Sequence, residues 1–227
     1  RRSSDLRLSC EGFPPDELDE LERTDASLIP RVEWPMPERF ANLADGDELR
    51  YGGYRMRAVD TPGHTPGHQC LYLPDQKVMF YGDHLLMNSS PNMAPFPGEA
   101  DSLGDYLRSL DKVAQLPVEF ACMGHGFVDP RRQAEAMPER IAWLQRHHRQ
   151  RLDEIAAQLE ERPGMTGTEL AKSITWNIPH AAWEEIPIIQ RWIVVCETLA
   201  HLDHLMGEGR VRRERAGDAY RYFMEQR

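Results

Sequence analysis

Side chains that could bind a metal ion follow three strand-like runs of the sequence. The three segments are Thr-Pro-Gly-His-Thr-Pro-Gly-His at 61–68, Gly-Asp-His at 82–84 and Gly-His-Gly at 124–126. Because each apolar run stops at a His or Asp beside a glycine, these side chains can gather at one rim of a sheet. Imidazole nitrogens and carboxylate oxygens together suit zinc, iron or manganese. The sequence therefore predicts a metal site.

Each of these residues has a simpler interpretation when it is taken alone. A His after Gly is usually a turn residue, and an Asp after Gly is more often a turn former or a helix cap. The ordered set favours ligands over turns. Within it, we interpret His68 as a structural or supporting residue, and we expect His84 to point away from Asp83 because side chains alternate along an extended chain.

The ordered set resembles the metallo-β-lactamase superfamily of metal-dependent hydrolases, over roughly residues 43–128. The resemblance implies that His64, Asp83 and His125 are metal ligands, with Asp83 bridging two divalent ions, zinc being the first candidate. It also implies an α/β fold, an αββα sandwich with a dinuclear site at one edge. This chain would form the later part of that sandwich.

One feature of that family is missing from the sequence. The family has an upstream His-x-His-x-Asp-His segment that supplies further ligands, whereas none of the nine histidines here precedes His64. We therefore expect these residues to be the later part of a longer polypeptide. The alternative is a degenerate relative that has lost its metal. The general acid stays unassigned.

The composition of the chain disfavours two classes of protein, nucleic-acid binders and membrane-spanning proteins. The formal net charge is −10 and 28% of the residues are charged, a balance that disfavours a general nucleic-acid binder. No apolar run reaches the roughly 18 residues of a membrane span, and no signal peptide is visible. The cysteines at 10, 70, 122 and 196 form no close pair, which indicates free thiols in a reducing, cytoplasmic setting.

The periodicity of the sequence predicts the elements that must position the candidate ligands. A hairpin is expected at 46–60, a strand pair at 68–73 and 77–81, and amphipathic helices at 101–116 and 131–161, with Pro138 marking a break or a new first turn. Met87, Met93 and Phe96 form either an apolar pocket wall or anchors of a surface loop. Trp34 and Met36 could line the mouth of the site or pack in the core.

The last third of the sequence has a different pattern. Thr166 to Glu169 fits a capping box, residues 188–206 form a strong helical stripe, and 211–215 with 219–223 predict a hairpin. This order resembles a winged-helix domain, so we predict domains at 1–145 and 146–227. Five arginines of the hairpin could touch nucleic acid, although a solvated wing or a protein interface is favoured: Arg210, Arg212, Arg213, Arg215 and Arg221.

Together these features predict a metal-dependent hydrolase that uses a metal-bound hydroxide on an ester, thioester or lactone of a small molecule. A homodimer is the candidate assembly. Two alternatives stay open: a ribonuclease of the same fold, which the basic hairpin would support, and a metal-free binding or dimerisation module.

Overall fold

A computed structural model describes residues 8–28, 41–126, 129–178 and 182–225 of the chain. The segment that contains Trp34 and Met36 lies outside the described residues. Contacts divide the chain into two compact units: a sheet unit (residues 37–93 and 102–148) and a helix–hairpin unit (1–36, 94–101 and 149–227). The predicted domain boundary at 145/146 stays a prediction. The predicted mixed α/β class is confirmed.

The sheet unit is built around a five-stranded sheet in the order β1-β2-β3-β4-β5. Its strands are β1 (Glu48–Tyr51), β2 (Tyr54–Asp60), β3 (Gln69–Leu73), β4 (Val78–Gly82) and β5 (Phe120–Met123). Gly52 and Gly53, with φ of 55° and 84°, form the tight turn of the β1–β2 hairpin that the sequence predicted. Two glycines suit this turn because both positions need positive φ.

The direction of the strands explains why three distant segments reach the same rim. β2 and β4 are each antiparallel to β3, so they run in the same direction, and β5 is parallel to β4. The carboxyl ends of β2, β4 and β5 therefore lie at one edge of the sheet. The segments that carry His64, Asp83 and His125 leave from those ends.

One face of the sheet is buried. Cys70, Tyr72, Met79, Tyr81 and Ala121 are each at most 3% exposed. The helix α2 (Ser102–Ala114) connects β4 to β5, as a parallel strand pair requires, and it also buries one stripe. Leu103, Tyr106, Leu110 and Val113 of that stripe are at most 1% exposed, as the sequence predicted.

The helix–hairpin unit contains α1 (Pro15–Leu28), α4 (Gly167–Ser173), a 3-10 turn (Trp183–Glu185), α5 (Ile188–Gly207) and the antiparallel hairpin of β6 (Val211–Ala216) and β7 (Ala219–Met224). Both halves of the predicted capping box at Thr166 are present. These elements match the predicted helix, helix, hairpin order, while the assignment as a winged helix stays a prediction.

The long helix α3 (Pro130–Glu161) corrects one expectation. It continues through Pro138, so the predicted interruption is wrong. Proline removes one backbone hydrogen bond, but buried Met137, Ile141 and Leu144 anchor the helix on both sides of that position. No helix among the described residues combines the length and apolar character that a bilayer crossing requires.

Candidate metal centre

The three side chains that the sequence predicted as ligands lie together at the rim of the sheet. Asp83 Oδ1 is 3.1 Å from His125 Nε2, and Asp83 Oδ2 is 3.9 Å from His64 Nε2. One carboxylate therefore faces an imidazole with each of its oxygens. The His125 side chain is 73% exposed and that of Asp83 is 39% exposed, so the group is open to solvent on one side.

His64 is held by its other ring nitrogen. His64 Nδ1 lies 2.8 Å from the backbone oxygen of Asn92, a group that can only accept, so the proton sits on Nδ1. That tautomer leaves a lone pair on Nε2, which is the nitrogen that faces Asp83. A ring nitrogen fixed by a carbonyl in this way is the usual support of a metal-binding histidine.

The loop that supplies the Asn92 carbonyl is itself tied to α3. Arg140 Nε donates to the oxygen of Leu86 at 2.7 Å, and Arg140 Nη2 donates to the oxygen of Ser89 at 2.6 Å. Met93 at the end of this loop is fully buried. Met93 therefore anchors the loop, which was one of the two roles open for it in the sequence.

The glycines beside the candidate ligands permit close backbone approach. Gly124 donates from its backbone nitrogen to the oxygen of Gly82 at 2.8 Å. A Cβ at Gly124 would come within 2.7 Å of Asp83 Oδ1. The missing side chain therefore lets the segment that carries His125 run directly beside Asp83.

The two other histidines near the rim, His68 and His84, have environments that favour the neutral imidazole. Burial, with a smaller contribution from His64, lowers the pKa of His68, whose Nδ1 lies 2.7 Å from Thr61 Oγ1. Burial lowers the pKa of His84 to about 3, and its ring meets the edge of Tyr106 at 5.3 Å between centroids. His84 is fully buried while Asp83 is half-exposed, which is the expected alternation.

The donor set at the rim fits a divalent metal ion. It offers two imidazole nitrogens and two carboxylate oxygens, a combination that zinc accepts. His64, Asp83 and His125 were found from their types and their place after strand-like runs. The contributions of Asn92 and Arg140 were missed, because they depend on contacts between segments that are far apart in the sequence.

Residues 14–125 match the family model described as the metallo-beta-lactamase superfamily. This part of the chain is therefore a metallo-beta-lactamase superfamily domain, and it contains all three candidate ligands. Proteins of this fold family typically bind metal ions.

Two curated proteins and one solved structure are similar to this chain. A beta-lactamase-like protein 2 homolog of Caenorhabditis elegans is 26% identical over 156 residues, covering 67% of this chain and 49% of that protein. A hydroxyacylglutathione hydrolase of Cereibacter sphaeroides is 34% identical over 93 residues, covering 40% of this chain and 34% of that protein. The chain thus spans about half, or less, of these curated relatives.

The third is a solved structure that covers nearly all of this chain. The crystal structure of a metallo-beta-lactamase family protein of Thermus thermophilus is 32% identical, with a TM-score of 0.71. It matches 96% of this chain, which in turn covers 62% of that protein. The likeness extends over both the sheet unit and the helix–hairpin unit, which supports the predicted metallo-β-lactamase fold.

Proposed function

We propose that this chain is part of a metal-dependent hydrolase that cleaves thioesters or related esters and lactones of small molecules. His64, Asp83 and His125 would hold two divalent ions, with zinc as the first candidate. The observation that carries the proposal is the position of the Asp83 carboxylate, 3.1 Å from His125 Nε2 and 3.9 Å from His64 Nε2. Divalent ions held there would lower the pKa of a bound water toward about 7 and would polarise a carbonyl oxygen.

The side chains have separate tasks in this proposal. His64 presents Nε2 in a fixed direction because Asn92 holds Nδ1. Asp83 would offer both of its oxygens to the metal ions, one on the His64 side and one on the His125 side. His125 is the most exposed of the three, so its side of the group has room for further ligands or for a substrate.

The choice of a thioester rests on the chemistry of a relative's substrate. A hydroxyacylglutathione carries its acyl group on the sulfur of glutathione, and the hydrolase of that name shares 34% identity over 93 residues. The acidic balance of the chain, at a formal net charge of −10, agrees with a small-molecule substrate better than with a polyanion.

The paired arginines in and next to the β6–β7 hairpin disfavour the ribonuclease alternative. Arg210, Arg212, Arg213 and Arg221 each lie beside a carboxylate, respectively Glu208, Glu214, Glu11 and Glu169. Phosphate binding requires cations that are available to neutralise it. Most of the positive charge of this hairpin is already compensated.

The test compares two classes of substrate, and it compares two aspartate variants of the full-length protein. We expect the protein to hydrolyse a hydroxyacyl thioester of glutathione, which is measured as the loss of thioester absorbance. We expect no cleavage of single-stranded RNA. Loss of a group that supports a metal ligand lowers activity about 10–100-fold. Asp83 would be a ligand itself, so Asp83→Asn should lower activity about a hundredfold or more. The control is Asp75→Asn. Asp75 is an exposed aspartate in the β3–β4 turn that pairs with Arg55 of β2.

Three outcomes would contradict the proposal. RNA cleavage without thioester hydrolysis would favour the ribonuclease. A full-length protein that neither binds zinc nor hydrolyses any of these substrates would favour the metal-free module. Equal activity of Asp83→Asn and Asp75→Asn would remove Asp83 from the site.

A further inference from the structure

The helix α2 touches both loops that carry candidate ligands, although it contributes no ligand itself. Three of its residues at intervals of three face the end of β2 and the segment that follows it. Lys112 Nζ donates to the oxygen of Asp60 at 3.0 Å, and Ser109 Oγ donates to the oxygen of Pro62 at 2.9 Å. Residues at this spacing share one face of a helix.

Tyr106 completes this face with the closest approach. A Cβ at Gly63 would come within 2.5 Å of Tyr106 Cβ and 2.6 Å of Tyr106 Cα. The backbone beside His64 therefore lies directly on the backbone of α2. Any change in the position of this turn of α2 moves the attachment of His64.

The side chain of Tyr106 reaches the second loop. Its hydroxyl donates to the backbone oxygen of His84 at 3.2 Å, and its ring meets the His84 ring edge-on at 5.3 Å. His84 directly follows Asp83. The ring also packs edge-on against His148 of α3, with 5.5 Å between centroids, and Tyr106 is fully buried. Contacts on both sides of the ring leave it little freedom.

We propose that Tyr106 is a positioning residue that sets the distance between the His64 loop and the Asp83 loop. This inference rests on the proposed function, because the separation matters most if the two side chains share a metal site. The backbone of Tyr106 fixes the first loop through Gly63, and its hydroxyl fixes the second through the oxygen of His84. Supports of this kind tune the affinity of a metal site without touching the ion.

The test removes one hydroxyl and leaves the ring in place. Tyr106→Phe should weaken zinc binding to the full-length protein about tenfold or more in a calorimetric titration. The matched control is Tyr72→Phe, since the Tyr72 hydroxyl also donates to a backbone oxygen, that of Pro117, at 2.7 Å. Tyr72 pairs with Met79 at the opposite end of the sheet from the rim. Tyr72→Phe should keep the zinc affinity within about twofold of the wild-type value, because a change remote from the ligands does not alter their spacing.

A second measurement separates this inference from the proposed function. In zinc-free protein, the His84 amide, which donates to the oxygen of Tyr81, should exchange with deuterium about tenfold faster in Tyr106→Phe than in Tyr72→Phe. If the wild-type protein binds no zinc but this exchange difference appears, the proposed function fails and the positioning role stands. Equal exchange in the two variants, or equal zinc affinity where zinc binds, overturns the positioning role.

Discussion

Gly63 is the residue on which the contact between the His64 loop and α2 depends. It has a φ of 138°, a conformation that L side chains rarely adopt, and its missing Cβ leaves room for Tyr106. Backbone conformation and close packing therefore both demand glycine at this position. Gly67 belongs to the same segment, but nothing lies within 4 Å of the place where its Cβ would be.

We expect Gly63→Ala to lower the free energy of unfolding by about 2–4 kcal/mol, because it adds backbone strain and overpacking against Tyr106. Gly67→Ala is the matched control and should be neutral or stabilising by up to about 1 kcal/mol, since alanine lowers the entropy of the unfolded chain. Urea denaturation of both variants measures the difference. Similar values for the two alanines would show that the loop moves away from α2 at little cost.

Cys70 illustrates how burial controls chemistry at a single residue. It is fully buried beneath the sheet, and burial raises the pKa of its thiol from 9.0 to about 12, against a smaller opposing effect of the hydrogen bond with Thr61. The thiolate is the reactive form, so at pH 8 the thiolate fraction of Cys70 lies far below that of an ordinary thiol. We expect pulse labelling with iodoacetamide to modify Cys70 only after unfolding.

Cys122 serves as the comparison within the same sheet, since it is half-buried and burial also raises its pKa. Peptide mass mapping after a short pulse should find label at Cys122 before Cys70. Labelling of native Cys70 at the rate of Cys122 would mean that the buried face opens readily.

At the scale of elements, the start of α4 depends on a reciprocal pair of hydrogen bonds. The Glu169 backbone nitrogen donates to Thr166 Oγ1 at 3.2 Å, and the Thr166 backbone nitrogen donates to Glu169 Oε2 at 2.7 Å. Thr166→Val keeps the shape and removes the acceptor. We expect a loss of about 1 kcal/mol in the free energy of unfolding, measured by thermal denaturation.

Thr168→Val is the control for that change, two residues further along the chain. The buried Thr168 Oγ1 has no hydrogen-bond partner among the described residues. Replacing it with a methyl group should leave the stability unchanged or slightly raised. If Thr166→Val were equally neutral, the capping box would contribute nothing to the stability of this unit.

The elements that the sequence predicted well are those with local signals. Alternation along β2, the Gly52-Gly53 turn and the capping box at Thr166 are each contained within a few residues, so their identity follows from neighbours in the chain. The strand ends also located His64, Asp83 and His125. Pro138 misled because a local rule against proline was overridden by the burial of Met137 and Ile141 on the same helix.

The groups that hold the candidate ligands in place, the Asn92 oxygen and the Arg140 side chain, have no local signal in the sequence. The Asn92 oxygen meets His64 across 28 positions of the sequence, and Arg140 reaches Leu86 across 54. A backbone oxygen leaves no mark on residue type, and a single arginine on a long helix has many plausible partners. Only the folded arrangement of loop and helix reveals which groups hold the ligands.

At the scale of the whole molecule, the helix–hairpin unit joins the two ends of the described chain. Glu11 is fully buried, and Tyr222 of β7 donates its hydroxyl to both Glu11 oxygens at 2.9 Å. Arg213 of β6 lies 3.7 Å from the same carboxylate. The backbone of Glu11 also accepts from Thr168 at 3.0 Å. A buried carboxylate is costly unless it is paired, so these contacts make the first described residues part of this unit.

Tyr222→Phe tests that connection across 211 positions of the sequence. It leaves Glu11 buried with Arg213 as the nearby cation, so we expect a loss of about 1.5–3 kcal/mol in the free energy of unfolding, the range for a hydrogen bond to a charged group. Tyr220→Phe is the control, because its ring keeps the contact with the Arg213 guanidinium at 4.2 Å. It should change stability by less than about 0.5 kcal/mol. Equal, small effects in denaturation would mean that the Glu11 segment does not stabilise the hairpin.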